Sequence, residues 1–451
     1  MTSLALKLPL RWDAMSRAIV TNAGSLVGTM VVNSGLGYLY WGFAARQFST
    51  AEVGLAAAAI SAMTLLGGAG ALGLGTLLVG ELPRRPGAER SLVTAALLLA
   101  GAAGAGLGVL FALLSPLIAV DLRPLAESPL AVALFALGVG LTAGTVVLDQ
   151  VLVGLLRGEL QLGRNALFAA AKLGALLVVG FWVADRHGLT IFATWLAGIL
   201  ASLAVLAGIE LRHRQALGVY RPEWGTLGRL GLRVLGHQAL NLALQTPQLA
   251  LPVVVTAVLS ATMTAYFYVA SMVAGLVYAI PVSLTAAIYA VGARAPSELA
   301  HRLRFSLKLS VLLSVLANGA LLVIAEFVLS LFGHEYAERG AASLRILAIG
   351  VLPMIVKDHY VAICRVHGLV GRAAVLVATG GCIELILAAV GARWGGLTGL
   401  SLGWVAALAL EAAMMAPTVY RAAAAAASAS GGAGPMGDQE RPERQPEWRM
   451  V

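Results

Sequence analysis

The stretch SLVTAALLLAGAAGAGLGVLFALLSPLIAV, residues 91–120, has no charged side chain. It is longer than the roughly 20 apolar residues with which an α-helix crosses a bilayer core. Runs of this kind recur along the whole chain, so the sequence describes a polytopic membrane protein rather than one with a single anchor. Composition agrees: 59% of residues are hydrophobic and only 12% charged, with a mean hydropathy of +0.87. Ordinary soluble domains hold about 45–50% apolar residues.

Apolar runs set against Arg-containing or Gly/Pro-containing breaks predict helices near 16–44, 52–80, 91–118, 130–156, 165–184 and 190–209. A second set follows near 233–258, 264–291, 306–331, 341–364, 373–391 and 397–419. The expected class is therefore an all-α polytopic membrane protein of about twelve transmembrane helices. The segments read as an N-terminal six-helix bundle (1–209), a cytoplasmic connector (210–232), a C-terminal six-helix bundle (233–420) and a disordered cytoplasmic tail (421–451). The tail is assigned on its Ala, Gly, Ser, Pro and charge content. The basic N-terminus lacks a short apolar core followed by a cleavage site, so the first apolar run is expected to be a retained helix.

The formal net charge of +9 comes from residues lying between the helices. Of 31 Lys and Arg, 24 fall in alternate connectors and the termini, six in the opposite connectors, and Lys357 lies inside a span. By the positive-inside rule both termini are expected on the cytoplasmic side of the inner membrane. The charge orients the chain and meets lipid headgroups; it gives no reason to expect nucleic acid. Cys364 and Cys382 have neither metal-ligand nor disulfide spacing and read as small core residues.

Laying QFSTAEVGLAAAAIS (47–61) over VLSATMTAYFYVASM (258–272) aligns Ser49 with Ser260 and Gly54 with Ala265, each in a short outer turn before a helix. The match is faint, but it falls at corresponding places in the two halves. Duplicated halves are the common build of secondary transporters. Nucleotide, paired-His metal and nucleophile-elbow motifs are absent from the sequence. The outer connectors, such as DLRPLAES (121–128) and FGHEYAERGA (332–341), are too short for a catalytic domain. The chain is expected to be no enzyme, to need no cofactor and to bind no metal.

Polar side chains inside the spans are the informative exceptions. His237, Asn241, Gln245 and Gln248 fall within about 80° of one helix face at 100° per residue. Asn22, Ser25, Thr29 and Asn33 form a stripe of about the same width in the first helix. Interhelical hydrogen bonding would explain one such pair; four positions in each of two corresponding helices suit a hydrated cavity better. Pro247 and Pro252 predict a kink or break in the same helix.

Among charged groups, Lys172 lies two turns past Arg164 and suits either a snorkelling or a cavity-facing cation. Lys357 and Asp358 lie deeper, beside His359, pointing about 100° apart so that they need not pair. Asp149, beside Gln150, Glu384 and Glu411 are the other mid-span acids, suited to neutralising a base, carrying a proton or staying protonated. With Asp358 they are the candidate coupling acids. Arg46, Arg157 and Arg365 sit at helix ends, where solvated anchors are expected.

Three stretches resemble polysaccharide and oligosaccharide flippases of the multidrug/oligosaccharidyl-lipid/polysaccharide exporter superfamily. FAARQFSTAEVGLAAAAISAMTLLGGAGALGLGTLL (43–78) is similar to that family's Arg, Ser-centred turn, Glu-x-Gly and Gly-rich helix end. VLVGLLRGELQLGRNALFAAAKLGALLVV (151–179) resembles its Leu-Arg-Gly and Gly-Arg segment, and LFGHEYAERGAASLRILAIGVLP (331–353) its Leu-Phe-Gly, Tyr and Leu-Arg-x-Leu run. With the twelve-helix plan, the likeness extends from about residue 15 to 420.

The resemblance implies two pseudo-symmetric six-helix bundles around a central cavity bordered by the helices at 16–44 and 233–258. Its cargo would be a polyprenyl-diphosphate-linked oligosaccharide or polysaccharide precursor, moved by alternating access. Neutral groups would contact sugars while cations, here Arg46, Lys172 and Lys357, hold the diphosphate. Expected partners are that lipid-linked glycan, membrane lipids, and glycosyltransferases or a polymerase of the same pathway; the chain is expected to be a monomer. Cation-coupled drug exporters of the same superfamily commonly place an acid in the first helix, and residues 16–44 contain neither Asp nor Glu. Two alternatives accompany the flippase reading: a cation-coupled drug or metabolite antiporter, and a membrane enzyme or scaffold of envelope assembly.

Overall fold

The computed structural model describes residues 14–85, 87, 89–182, 187–212, 235–292 and 299–430, without the side chains of 14–27, 30–31, 83, 210–212, 235–237, 286–292, 299–300 and 425–430. Most of the expected connector (213–232) and the end of the tail (431–451) lie outside the described residues. The described residues contain helices and turns and no strand. Contacts divide the chain into two compact units, Met1–Gln238 and Ala239–Val451.

The first unit holds α1 (Ala14–Gln47), α2 (Thr50–Gly70), α3 (Leu74–Glu81), α4 (Glu89–Ile118), α5 (Pro129–Gly154), α6 (Gly158–Trp182) and α7 (Gly188–Arg212). The single helix expected over 52–80 is two. Leu72 and Gly73 adopt left-handed φ of 53° and 71°, which ends α2 and restarts the chain as α3. Glycine takes that conformation without steric penalty, whereas Leu72 is held there against its preference.

Small residues set how closely these helices approach. A Cβ on Gly70 would stand 2.6 Å from Gly104 Cα, and one on Gly104 would stand 2.9 Å from Val139 O. Lipid supplies no hydrophobic drive between helices, so such backbone contact is the main source of their association. Gly104→Leu is expected to destabilise the unit by about 1–3 kcal/mol, since the new side chain enters a packed three-helix contact. Gly101→Ala serves as the control, its Cβ meeting nothing nearer than Gly140 O at 3.8 Å. Thermal unfolding in detergent should separate the two, and equal midpoints would refute the packing argument.

The second unit is built from α8 (Leu235–Val258), α9 (Ala261–Gly292), α10 (Leu299–Ser330), α11 (His334–Ile349), α12 (Val351–Val366) and α13 (Val370–Ser430). α8 continues as helix through Pro247 and Pro252, with no break at either. The helix expected over 341–364 begins earlier and bends by 40° at Gly350, dividing into α11 and α12. Pro353, close behind, has no N–H to continue the ladder. Carbonyls at the bend find side-chain donors instead. The Tyr278 hydroxyl donates to Leu347 O, and Asn318 Nδ2 donates to Ala348 O at 2.7 Å. In hydrocarbon an irregular backbone persists only where its polar groups are satisfied this way.

α13 is two helical arms separated by non-helical Gly395 and Gly396, the latter at φ 57°. Gly391 meets Gly399, Leu387 meets Gly403, and Gly380 meets Glu411. Residues progressively further from the turn are opposed, so the arms form an antiparallel hairpin. The second arm runs helically to Ser430, so the first ten residues of the tail expected to be disordered, 421–430, are helix. Their alanine content explains this, alanine being the best helix former.

Nine helices among the described residues are long and apolar enough to span a membrane, or ten when α11 and α12 count as one span. Taking the two arms of α13 separately and adding α1 gives the expected twelve. Outward-facing apolar residues such as Leu113 and Leu117 on α4, or Val323 and Phe327 on α10, are more than half exposed. Ridges of that kind suit contact with lipid chains. The repeat also has a local counterpart in each unit. Ser49 Oγ accepts from Glu52 N at 3.3 Å, and Ser260 Oγ accepts from Met263 N at 3.2 Å, so the two aligned serines cap the starts of α2 and α9.

Candidate functional site

In the second unit the polar face of α8 and the charged face of α12 meet at a cavity of about 390 Å³. Gln245 and Gln248 line it from α8, Tyr278 and Thr285 from α9, and Lys357, Asp358 and Arg365 from α12, with Glu384 behind them on α13. Gly381 lets the first arm of α13 close on α8, since a Cβ there would stand 3.1 Å from the Pro247 ring. The remaining lining is aliphatic, as expected for a pocket that orients a ligand with a few polar groups.

Lys357 is not presented to this cavity as an unpaired cation. Its Nζ lies 2.6 Å from Glu384 Oε1 and 2.8 Å from Glu411 Oε2, and all three side chains are at most 3% exposed. Trp404 Nε1 donates to the other Glu384 oxygen at 2.6 Å. Glu411 lies directly over Gly380, where any side chain would collide with its carboxylate. The 2.8 Å separation makes the contact of Glu411 with the ammonium a close ion pair. Two carboxylates around one ammonium leave one surplus negative charge unless a proton is held among them. The expectation that Lys357 holds a diphosphate therefore gives way to a buried ion cluster. Glu384 and Glu411 take the first of the roles open to them, neutralising a base.

Next along α12 the pattern changes. Asp358 does not pair with Lys357, and its Oδ2 is buried with no hydrogen-bond partner among the described residues. His359 points about 100° further round the helix, its ring bridging Ile355 O at 2.7 Å and Ser306 Oγ at 3.0 Å. A carbonyl can only accept, so Nδ1 carries a proton toward Ile355 O, and the contacts on both ring nitrogens fix this as a core histidine. Arg365, expected to be a solvated anchor, instead lines the cavity and donates through Nη2 to Asn241 Oδ1 at 3.0 Å. Its sequence signal was available: Arg365 stands two turns beyond Asp358, on the same face of α12. Of the α8 stripe, Gln245 and Gln248 are exposed at the cavity and Asn241 is half-buried under Arg365, while the side chain of His237 lies outside the described residues.

The first unit holds a separate set of charges. Arg164 grips Asp149 with two hydrogen bonds, Nε to Oδ1 at 2.9 Å and Nη2 to Oδ2 at 2.6 Å, and Asn165 Nδ2 adds a third at 3.3 Å. Asp149 thus neutralises a buried arginine from α6. Lys172 neither snorkels nor stands open to solvent. It is 4% exposed, and its ammonium lies 3.5 Å from the centroid of the Trp195 ring, 4.6 Å from Phe168 and 5.1 Å from Tyr40. Among the described residues, ring quadrupoles rather than a carboxylate stand against this ammonium. Gly198 makes room for it, a Cβ there falling 2.8 Å from that of Lys172.

On α1, Thr29 and Asn33 are half-buried, and Asn33 Oδ1 is buried without a hydrogen-bond partner among the described residues. The side chains of Asn22 and Ser25 lie outside the described residues. Arg46 is exposed in the last turn, where a cation complements the negative helix end.

No protein-family model and no curated protein matches the chain. Solved structures do match, over nearly its whole length. An inward-facing MATE-family multidrug resistance transporter of the MOP superfamily aligns over 90% of this chain and 99% of its own at 16% identity, with a TM-score of 0.66. The lipid II flippase MurJ, in an inward closed conformation, aligns over 88% of this chain and 87% of its own at 13% identity, also with a TM-score of 0.66. A MOP superfamily transporter from Pyrococcus furiosus, described as having a binding pocket of reverse polarity, aligns over 90% and 96% at 16% identity and a TM-score of 0.57. The chain is thus a multi-pass membrane protein with the fold that MATE transporters and the flippase MurJ share.

Proposed function

We propose that this protein moves a polyprenyl-diphosphate-linked oligosaccharide or polysaccharide precursor across the cytoplasmic membrane by alternating access, with both termini cytoplasmic. The observation that carries this reading is the make-up of the C-terminal cavity, where the exposed amides Gln245 and Gln248 stand with the guanidinium of Arg365. Amides suit sugar hydroxyls, and a guanidinium suits a phosphate through paired hydrogen bonds. The motifs of the sequence and the fold shared with a lipid II flippase support the same assignment. Lys357 is left out of phosphate binding in this scheme because its charge is already taken.

Purified protein in vesicles containing a fluorescent undecaprenyl-diphosphate oligosaccharide tests the reading. Glycan exposed on the outer leaflet, read with a membrane-impermeant lectin, should equilibrate with the inner leaflet in minutes, but not in protein-free vesicles. Absence of exchange would overturn the assignment. The surplus negative charge of the Lys357, Glu384 and Glu411 cluster favours a second reading, a cation-coupled antiporter of drugs or metabolites. In that case ethidium efflux should follow an imposed proton or sodium gradient, with no glycan exchange.

A further inference from the structure

We infer that the C-terminal cavity recognises a zwitterionic sugar phosphate, Arg365 binding the phosphate and Asp358 binding the free ammonium group of an amino sugar. This rests on the glycan-transport reading and narrows its substrate class.

Three observations converge on it. The first is the orphaned carboxylate: Asp358 lines the cavity, yet its Oδ2 is buried without a hydrogen-bond partner among the described residues. A buried ionisable oxygen left unsatisfied is costly, and such groups in a cavity are commonly completed by a ligand. The second is the fate of the neighbouring cation. Lys357 is adjacent in sequence, but its ammonium is in contact with Glu384 and Glu411, so it acts on Asp358 by charge at a distance and gives it no hydrogen bond. The third is the guanidinium of Arg365. Among the described residues its one hydrogen bond is to Asn241 Oδ1, and it acts on Asp358 by charge without hydrogen-bonding it, which leaves donors toward the same cavity.

Seven residues of helix separate Asp358 from Arg365 by roughly 10 Å of rise and only about 20° of rotation. One face of α12 therefore presents an acceptor for a cation and a donor for an anion, at two levels of one pocket. Gln245 and Gln248 face them from α8. Neither a purely anionic nor a purely cationic ligand would satisfy both ends, whereas a hexosamine phosphate carries both charges on one ring. The cavity volume of about 390 Å³ is within the range of small-ligand pockets.

The test titrates the purified full-length protein with three probes: glucosamine 1-phosphate, N-acetylglucosamine 1-phosphate and glucosamine. Affinity is read by thermal shift and intrinsic fluorescence. Glucosamine 1-phosphate should bind about tenfold or more tightly than either other probe, the factor expected for losing one hydrogen-bonded charge. Asp358→Asn should abolish the preference for amine over N-acetyl, and Arg365→Gln the preference for phosphate over its absence. If the acetylated probe binds equally well, the inference falls while glycan exchange in vesicles still supports the transport reading. If glucosamine alone binds equally well, the inference falls in favour of a cation site. Failure of all three probes to bind at millimolar concentration overturns it as well. The wild-type comparison decides among these outcomes even where a variant fails to fold.

Discussion

Lys357→Met should lower the stability of the protein by about 3–5 kcal/mol, the range for removing one partner from a buried ion pair. The methionine fills a similar volume, so the loss reports charge rather than a cavity. Glu384 and Glu411 would be left facing each other at no more than 1% exposure, with Trp404 donating to one of them. Adding Glu384→Gln and Glu411→Gln to Lys357→Met should recover most of that loss, because the glutamine amide still accepts from Trp404 and no charge remains to be desolvated. Unfolding in detergent with a chemical denaturant measures both variants. A single variant as stable as the wild type would show that the three groups do not form an ion cluster. The same pair of variants also separates roles: if the triple variant folds but transports nothing, the cluster serves transport as well as the fold.

Arg164→Met is the corresponding experiment in the first unit, with a smaller expected loss of about 2–3 kcal/mol. The reason is exposure. Arg164 is 4% exposed but Asp149 retains 21%, so an abandoned carboxylate there could recruit water. Asn165 would remain as one donor to it. Asp149→Asn combined with Arg164→Met should be more stable than the sum of the single losses predicts, with a coupling of at least about 1 kcal/mol for groups in direct contact. Strict additivity would mean that the two-bond pairing contributes nothing beyond its separate parts.

These two sites show how much the sequence disclosed. Apolar run length located the helices, and it did so because bilayer thickness, not tertiary contact, sets how long such a run must be. The amide stripe of α8 was likewise legible, since a 3.6-residue repeat puts Gln245 and Gln248 on one face whatever surrounds them. Breaks within spans were not. Leu72 is a poor residue for left-handed backbone, so nothing local announces the end of α2; the approach of Gly67 and Gly70 to α5 and α4 accompanies it. The bend between α11 and α12, at Gly350 just before Pro353, likewise interrupts what reads as one helix. Whether it could be tolerated depended on Tyr278 and Asn318, supplied by other helices.

Charges gave the clearest division. The sequence identified Asp149, Lys172, Lys357, Asp358, Glu384 and Glu411 as costly inside a membrane, and left open which would be functional. Their partners come largely from other helices: α6 for Asp149, the two arms of α13 for Lys357, and for Lys172 the rings of Tyr40 on α1 and Trp195 on α7 beside Phe168 of its own helix. Arg365 was read as an anchor because it closes a helix, yet it faces the cavity once α8 packs alongside. The sequence by itself determined that the chain spans a membrane many times and which helix faces carry polar atoms, because hydropathy and helical period are properties of a single segment. Tertiary structure alone decided which charges are neutralised and which stay available, because the energy of a buried charge depends on what another helix brings within about 3 Å of it.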